Sequence, residues 1–222
     1  MSPTHDLELV IFDCDGVLVD SEVISNEVLA RALTEQGLPT TLAQARRDYQ
    51  GLLLAEIDSR ARAKLGRPLA QDWLERYERD RAAVFRRELR AVPGVAEAIQ
   101  RIKAAGVAVC VASQGKLEKT RLSLELTKLN PLFPDEALFS AYSVPRGKPH
   151  PDLFLHAAQT IATEPTRCAV IEDTPSGVTA AVSAGMRAFG YAADSDPTTL
   201  RQAGAEVFMS MEELPAAALG LR

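Results

Sequence analysis

Leu9-Val10-Ile11-Phe12-Asp13-Cys14-Asp15-Gly16-Val17 decides the fold. An unbroken apolar run ended by acids and a glycine reads as a strand buried on both faces of a parallel sheet, where βα crossovers supply cover on either side. The charges then lie at the carboxyl end of the strand, the edge at which open α/β sheets bind ligands. Side chains two apart on a strand share a face, so Asp13 and Asp15 are expected to point together into that crevice while Cys14 turns to the other side. Two carboxylates this close do not both stay ionised cheaply unless a cation lies between them or one keeps a proton. The competing reading is a surface turn or a calcium loop. A calcium loop needs further oxygen ligands downstream, and there this chain carries Val17-Leu18-Val19.

The same pattern recurs along the chain. Val107 to Ala112 is a second apolar run and ends at Ser113-Gln114-Gly115; Cys168-Ala169-Val170-Ile171 is a third and ends at Glu172-Asp173-Thr174-Pro175-Ser176-Gly177. Helical patterns alternate with them, one opening at Pro93-Gly94-Val95 and reaching Ala105, another opening at Asp152 and reaching Ala162. Weaker strands are expected at Ala137 to Ser140, Arg187 to Tyr191 and Glu206 to Met209. Gly106 and Gly185 sit just past helices, where C-terminal stops belong. Alternating strands and helices predict an α/β fold with a doubly wound, Rossmann-like parallel sheet.

One segment breaks the alternation. Between Asp20 and Glu88 the stretches Glu22 to Gln36, Leu42 to Tyr49, Leu54 to Lys64 and Gln71 to Leu89 are charged and amphipathic, with no strand among them. They predict an all-helical cap domain at 20–88, inserted into a core of 1–19 and 89–222. Placed after the Asp-bearing strand, such an insertion would hang over the crevice and could close on it as a lid. Its last helix carries Arg76, Arg79, Arg81, Arg86 and Arg87, with Arg90 just beyond. Glu75, Glu78, Asp80 and Glu88 lie among them, which favours a solvated, salt-bridged face over a substrate site.

Composition narrows the function classes. The 222 residues carry a net charge of −5 and a pI of about 5.3, with no basic stripe of the kind nucleic-acid binding needs. An anionic substrate must then rely on local cations and a metal. Met1 to Glu8 is polar and has no hydrophobic signal core, and no apolar stretch approaches the ~20 residues of a membrane span. No nucleic acid and no membrane are therefore expected as partners, and the cytoplasm is the expected compartment. The three cysteines, Cys14, Cys110 and Cys168, fall in apolar strands and read as free thiols.

Polar groups suited to phosphate and metal stand at strand ends and in one loop. Ser113, followed by Gln114-Gly115 and a helix, offers a hydroxyl at an anion-binding helix N-terminus; a plain helix cap is the alternative. Lys148 lies in Arg146-Gly147-Lys148-Pro149-His150-Pro151-Asp152, where two prolines stiffen the loop and Asp152 can cap the next helix. One ammonium presented near clustered acids can hold phosphate and offset carboxylate repulsion. Glu172 and Asp173 add oxygen ligands to the metal proposed at Asp13 and Asp15, Asp173 the better placed. A hard Mg²⁺ suits such oxygens. His5, His150 and His156 show no zinc spacing.

Asp13-x-Asp15-Gly-Val-x-x-Asp20-Ser21, a strand ending at Ser113, Gly147-Lys148-Pro149-x-Pro151-Asp152 and Glu172-Asp173-Thr-x-x-Gly177 together resemble the haloacid dehalogenase superfamily over nearly the whole chain. More narrowly they resemble its β-phosphoglucomutase-like phosphatases with a helical cap. The resemblance implies that Asp13 is a nucleophile forming an aspartyl-phosphate and that Asp15 is the acid/base. It implies Mg²⁺ held by the Asp13 carboxylate, the Asp15 carbonyl and Asp173, with Glu172 a further metal candidate. Ser113 and Lys148 would hold the transferring phosphoryl group, with Gln114 and Gly16 as further phosphate-binding positions. Mutases of the family carry a His after the first motif and an Arg in the cap, where this chain has Ser25 and Leu54, so hydrolysis is expected over mutation. The second-strand Ser is followed by Gln114 where many relatives have Asn. Residues Asp20 to Asn26 and Tyr49 to Leu54 look most like members that hydrolyse sugar or sugar-acid phosphates such as 6-phosphogluconate. The expectation is a monomeric Mg²⁺-dependent phosphatase of a small phosphorylated metabolite. A phosphosugar mutase is the alternative, and a non-catalytic phospho-ligand module comes third, since Asp15 would only destroy a stable signalling phosphate.

Overall fold

The computed structural model describes residues 7–219; His5 lies outside them. In chain order the elements are β1 (Leu9–Phe12), α1 (Glu22–Glu35), α2 (Leu42–Tyr49), α3 (Leu54–Leu65), α4 (Trp73–Glu88), α5 (Val95–Ala104), β2 (Ala108–Ser113), α6 (Leu117–Leu126), β3 (Leu138–Ser140), α7 (Asp152–Thr160), β4 (Cys168–Glu172), α8 (Pro175–Ser183), β5 (Arg187–Tyr191), α9 (Pro197–Ala203), β6 (Glu206–Phe208) and α10 (Leu214–Leu219). Contacts divide the chain into two compact units, one running to Val19 and again from Ala91, the other Asp20–Arg90. No helix among the described residues is long and apolar enough to cross a membrane.

The first unit holds a six-stranded sheet of order β3-β2-β1-β4-β5-β6, parallel at every pairing. Leu9, Val10, Ile11 and Phe12 are fully buried, as a central strand covered by helices on both faces demands. Phe12 is level with Val111 of β2 and with Ile171 of β4. The residues just past it therefore reach the same edge as Ser113 and Glu172. From β1 the chain winds outward through β2 to β3, then returns to β4 on the other side of β1. The crevice of a doubly wound sheet opens at such a reversal.

Strand alternation does not bring Asp13 and Asp15 together. β1 ends at Phe12, and the chain then enters a tight turn in which the amides of Leu18 and Val19 donate to the Cys14 carbonyl at 2.9 and 3.1 Å. Gly16 has φ 75° and its amide donates to the Val19 carbonyl at 2.9 Å. The turn, not a strand face, gathers the two acids. Helix α7 also ends earlier than its apolar pattern suggests, because Ala162 takes a left-handed φ of 57°. Asp152 does not cap it: Pro151 holds the cap position, and the Asp152 carboxylate takes two bonds from Arg146 at 3.1 and 2.8 Å.

The second unit is helical and has its own core of Val28, Leu29, Leu33, Tyr49, Ile57, Ala61, Leu69, Trp73 and Tyr77. Thr41 and Gln44 close a capping box at the start of α2. The Trp73 indole donates to Asp58 at 2.7 Å, so the largest side chain of this core is satisfied at its polar end. The basic face of α4 is solvated: Arg76 pairs with Asp72, Arg79 with Asp80 and Arg87 with Glu88, while Arg81 lies over the Tyr77 and Phe85 rings. Trp73→Ala is expected to destabilise this unit by about 3–5 kcal/mol, read as a loss of helical signal at lower urea than in wild type. A loss below about 1 kcal/mol would show that Trp73 does not anchor the core.

Candidate active site

At the carboxyl edge of the sheet the Lys148 ammonium lies 2.5 Å from an Asp13 oxygen and 2.5 Å from Glu172 Oε1. Its side chain is only 4% exposed, with Asp13 at 9% and Glu172 at 1%. Burial disfavours the charged ammonium, but the Asp13 and Glu172 carboxylates outweigh it and hold Lys148 above the ordinary lysine range. Burial is also the largest influence on Asp13, which is pushed up to about 7; Lys148 opposes that rise, while Glu172 and Asp15 add to it. The ammonium further sits 5.1 Å from the centre of the Phe154 ring, a contact that suits a desolvated cation.

Glu172 is held from several sides. Its Oε2 accepts from the amides of Asp173 and Thr174, each at 3.1 Å, and from the Thr174 hydroxyl at 2.8 Å. Thr174 in turn caps α8 by accepting from the Gly177 amide at 3.1 Å. A Cβ on Gly177 would lie 1.9 Å from the Glu172 carboxyl carbon. Only glycine lets the helix start this close to the carboxylate.

Asp13, Glu172 and Asp173 each offer a ligand oxygen, all within 4.8 Å of one another and all buried. The donor set is oxygen only and anionic. Asp13, Asp15, Glu172 and Asp173 face two ammonium groups, Lys148 and Lys119, so the carboxyl groups outnumber the cations. A hard divalent cation such as Mg²⁺ fits both the donors and the charge. Both oxygens of Glu172 are already engaged, which favours Asp13 and Asp173 as ligands.

Gly16, expected among the phosphate-binding positions, has its amide bound to Val19 instead. The position has no room for a side chain: a Cβ there would lie 2.2 Å from Asp173 Oδ2. Gly16→Ala is expected to displace Asp173 and to weaken Mg²⁺ binding roughly 10-fold or more, read as the Mg²⁺ concentration that half-saturates the rise in melting temperature. An unchanged midpoint would remove Asp173 from the ligand set.

On the other side of Asp13, Ser113 is fully buried and its Oγ accepts from the Gly115 amide at 3.0 Å, which leaves the hydroxyl proton to donate to an anion. Gln114 is engaged at its carbonyl end. Its side-chain carbonyl accepts from the Lys148 amide at 3.1 Å, and a Cβ on Gly147 would lie 2.7 Å from its Nε2. The carboxamide ties the Lys148 loop to the end of β2.

Residues 7–185 match the family model for haloacid dehalogenase-like hydrolases. The chain belongs to that family. This hydrolase is 31% identical over 210 residues to 6-phosphogluconate phosphatase of Escherichia coli, covering 94% of this chain and 93% of that protein. Among solved structures it resembles a haloacid dehalogenase-like protein of unknown function from Agrobacterium tumefaciens, with TM-score 0.79, 33% identity and coverage of 97% and 99%. It also resembles a Deinococcus radiodurans family hydrolase with bound phosphate and sodium, with TM-score 0.76, 32% identity and coverage of 100% and 98%.

The remaining candidates of the hydrolase separate cleanly. The Cys14 thiol is fully buried, and burial with the neighbouring Asp15 raises it far above the thiol range, so it is no nucleophile. Arg146 is engaged by Asp152 on the surface. His156 packs edge-on to Phe139 at 5.5 Å between ring centres. Two side chains at the site escape a reading of the sequence: Phe154 under Lys148, and Lys119 of α6, which pairs with Asp15.

Proposed function

We propose that this hydrolase is a Mg²⁺-dependent phosphatase of small phosphorylated metabolites, sugar or sugar-acid phosphates, acting through an aspartyl-phosphate on Asp13. The observation that carries the reading is Lys148, a buried ammonium bonded at once to Asp13 and Glu172 beside an oxygen-only acidic group. Asp13, Asp173 and the Asp15 carbonyl would hold Mg²⁺, which when bound offsets the charge of phosphate and carboxylates and lets them approach. Lys148 and the Ser113 hydroxyl hold the phosphoryl oxygens. An Asp13 oxygen attacks phosphorus, the bond to the sugar oxygen breaks, and protonated Asp15 gives that oxygen its proton. Asp15, now a carboxylate, takes a proton from water as the water oxygen attacks the acyl phosphate, releasing inorganic phosphate and restoring Asp13. The helical unit inserted between β1 and α5 is the part of the chain to which substrate selection is assigned.

Similarity to 6-phosphogluconate phosphatase supports sugar-acid phosphates as the first substrates to try. Phosphate release should be measured across a panel of sugar and sugar-acid phosphates, with Mg²⁺ and with chelator. Release that chelator abolishes and Mg²⁺ restores is the expected result. Isomerisation of a hexose phosphate without release would replace the proposal by a mutase, and silence in both assays would sink it.

A further inference from the structure

Lys119 is a poor candidate for a surface lysine. It stands in the first turn of α6 (Leu117–Leu126), where the helix dipole disfavours a cation, and its side chain is only 11% exposed. Its ammonium bonds to Asp15 Oδ2. The stem reaches that carboxylate by lying across Gly115: a Cβ there would sit 3.0 Å from Lys119 Cδ and 3.6 Å from its Nζ. Gly115 itself is fixed from two sides, its amide by Ser113 Oγ at 3.0 Å and its carbonyl by the Ser140 hydroxyl at 2.7 Å. The ends of β2 and β3 thus hold a flat track over which one lysine runs to one carboxylate. Asp15 itself lies in the turn after β1, bridged to Val19, rather than on a strand.

We infer that Lys119 is a positioning residue that holds Asp15 aimed at the leaving oxygen and at the attacking water. The inference rests on the phosphatase reading above. Lys119 touches Asp15 rather than phosphorus, so its loss should leave the attack of Asp13 intact and impair the proton transfers that Asp15 performs.

An aryl phosphate separates these steps, because 4-nitrophenolate leaves without a proton whereas the oxygen of an alkyl sugar phosphate needs one. In Lys119→Met, rapid mixing with 4-nitrophenyl phosphate should give a burst of about one nitrophenolate per enzyme at a rate within about twofold of wild type. Steady-state release should then be roughly 10-fold slower or more, because water attack still depends on Asp15. With a sugar phosphate the same variant should lose kcat by at least that factor with KM nearly unchanged, and Lys119→Arg should recover part of it. The burst amplitude counts folded, competent sites. Equal losses in burst and steady state, a rise in KM with kcat intact, or wild-type rates throughout would each overturn the assignment. Lack of turnover by wild type on both substrates would overturn the phosphatase reading and this inference with it.

Discussion

Asp13→Asn is expected to lower phosphate release by roughly 10³-fold or more while leaving the fold at least as stable as wild type. The carboxamide keeps the shape of the side chain but offers no anionic oxygen to attack phosphorus, so the covalent step is lost outright. Stability should move the other way. Asp13 is buried against Glu172 and Asp15, and burial already pushes its pKa up to about 7. A neutral amide removes a charge that is costly to desolvate and leaves Lys148 bonded to Glu172. Two measurements decide it: phosphate release with the best substrate of the panel, and thermal unfolding with and without Mg²⁺. An inactive variant with an undiminished melting temperature in chelator is the expected pair. Retention of more than a few per cent of the activity would remove Asp13 as nucleophile, and a large fall in chelator would mean that its charge is structural.

The sheet was readable because burial on both faces writes itself into the sequence as solid apolar runs, and Leu9–Phe12, Val109–Ala112 and Cys168–Ile171 are fully or almost fully buried. Short edge strands carry little of that signal; Leu138–Ser140 and Glu206–Phe208 are marked mainly by the turns beside them. At the site, Asp13, Lys148, Glu172 and Asp173 were legible as polar residues at the ends of buried runs or in a proline-bracketed loop. Side-chain direction was not. Nothing local says that Gln114 turns to the Lys148 amide, or that the Gly16 amide is held by Val19. Asp152 offered a cap by its type, yet Arg146 six positions back takes its carboxylate instead. Lys119 and Asp15 are 104 positions apart, and only the β1–β2 register with the crossover into α6 brings them together. Contacts made by topology leave no local pattern to find.

Lys148→Met should cost both activity and stability, and the two losses should respond differently to Mg²⁺. The ammonium pairs with Asp13 and Glu172 at once, 2.5 Å from each, so its removal strands two buried carboxyl groups. Breaking a buried pair from one side costs about 3–5 kcal/mol, and here the methionine chain still packs on Phe154, so most of that loss is electrostatic. Glu172 keeps its three donors from Asp173 and Thr174 and stays ordered; Asp13 has no comparable set among the described bonds and bears the larger part. A divalent cation beside Asp13 and Asp173 would supply part of the missing charge. The melting temperature of the variant should therefore rise more with Mg²⁺ than that of wild type. Turnover should not return with it, because the phosphoryl oxygens have lost their cation, a loss of about 10²–10³-fold for one such donor. Lys148→Arg sharpens the test: it keeps the charge and should recover stability in chelator, but its planar fork cannot take the place of a compact ammonium between Asp13, Glu172 and the Phe154 ring. Equal Mg²⁺ responses in wild type and Lys148→Met would show that the metal and the lysine do not share Asp13, and the acidic group would then need a different cation site.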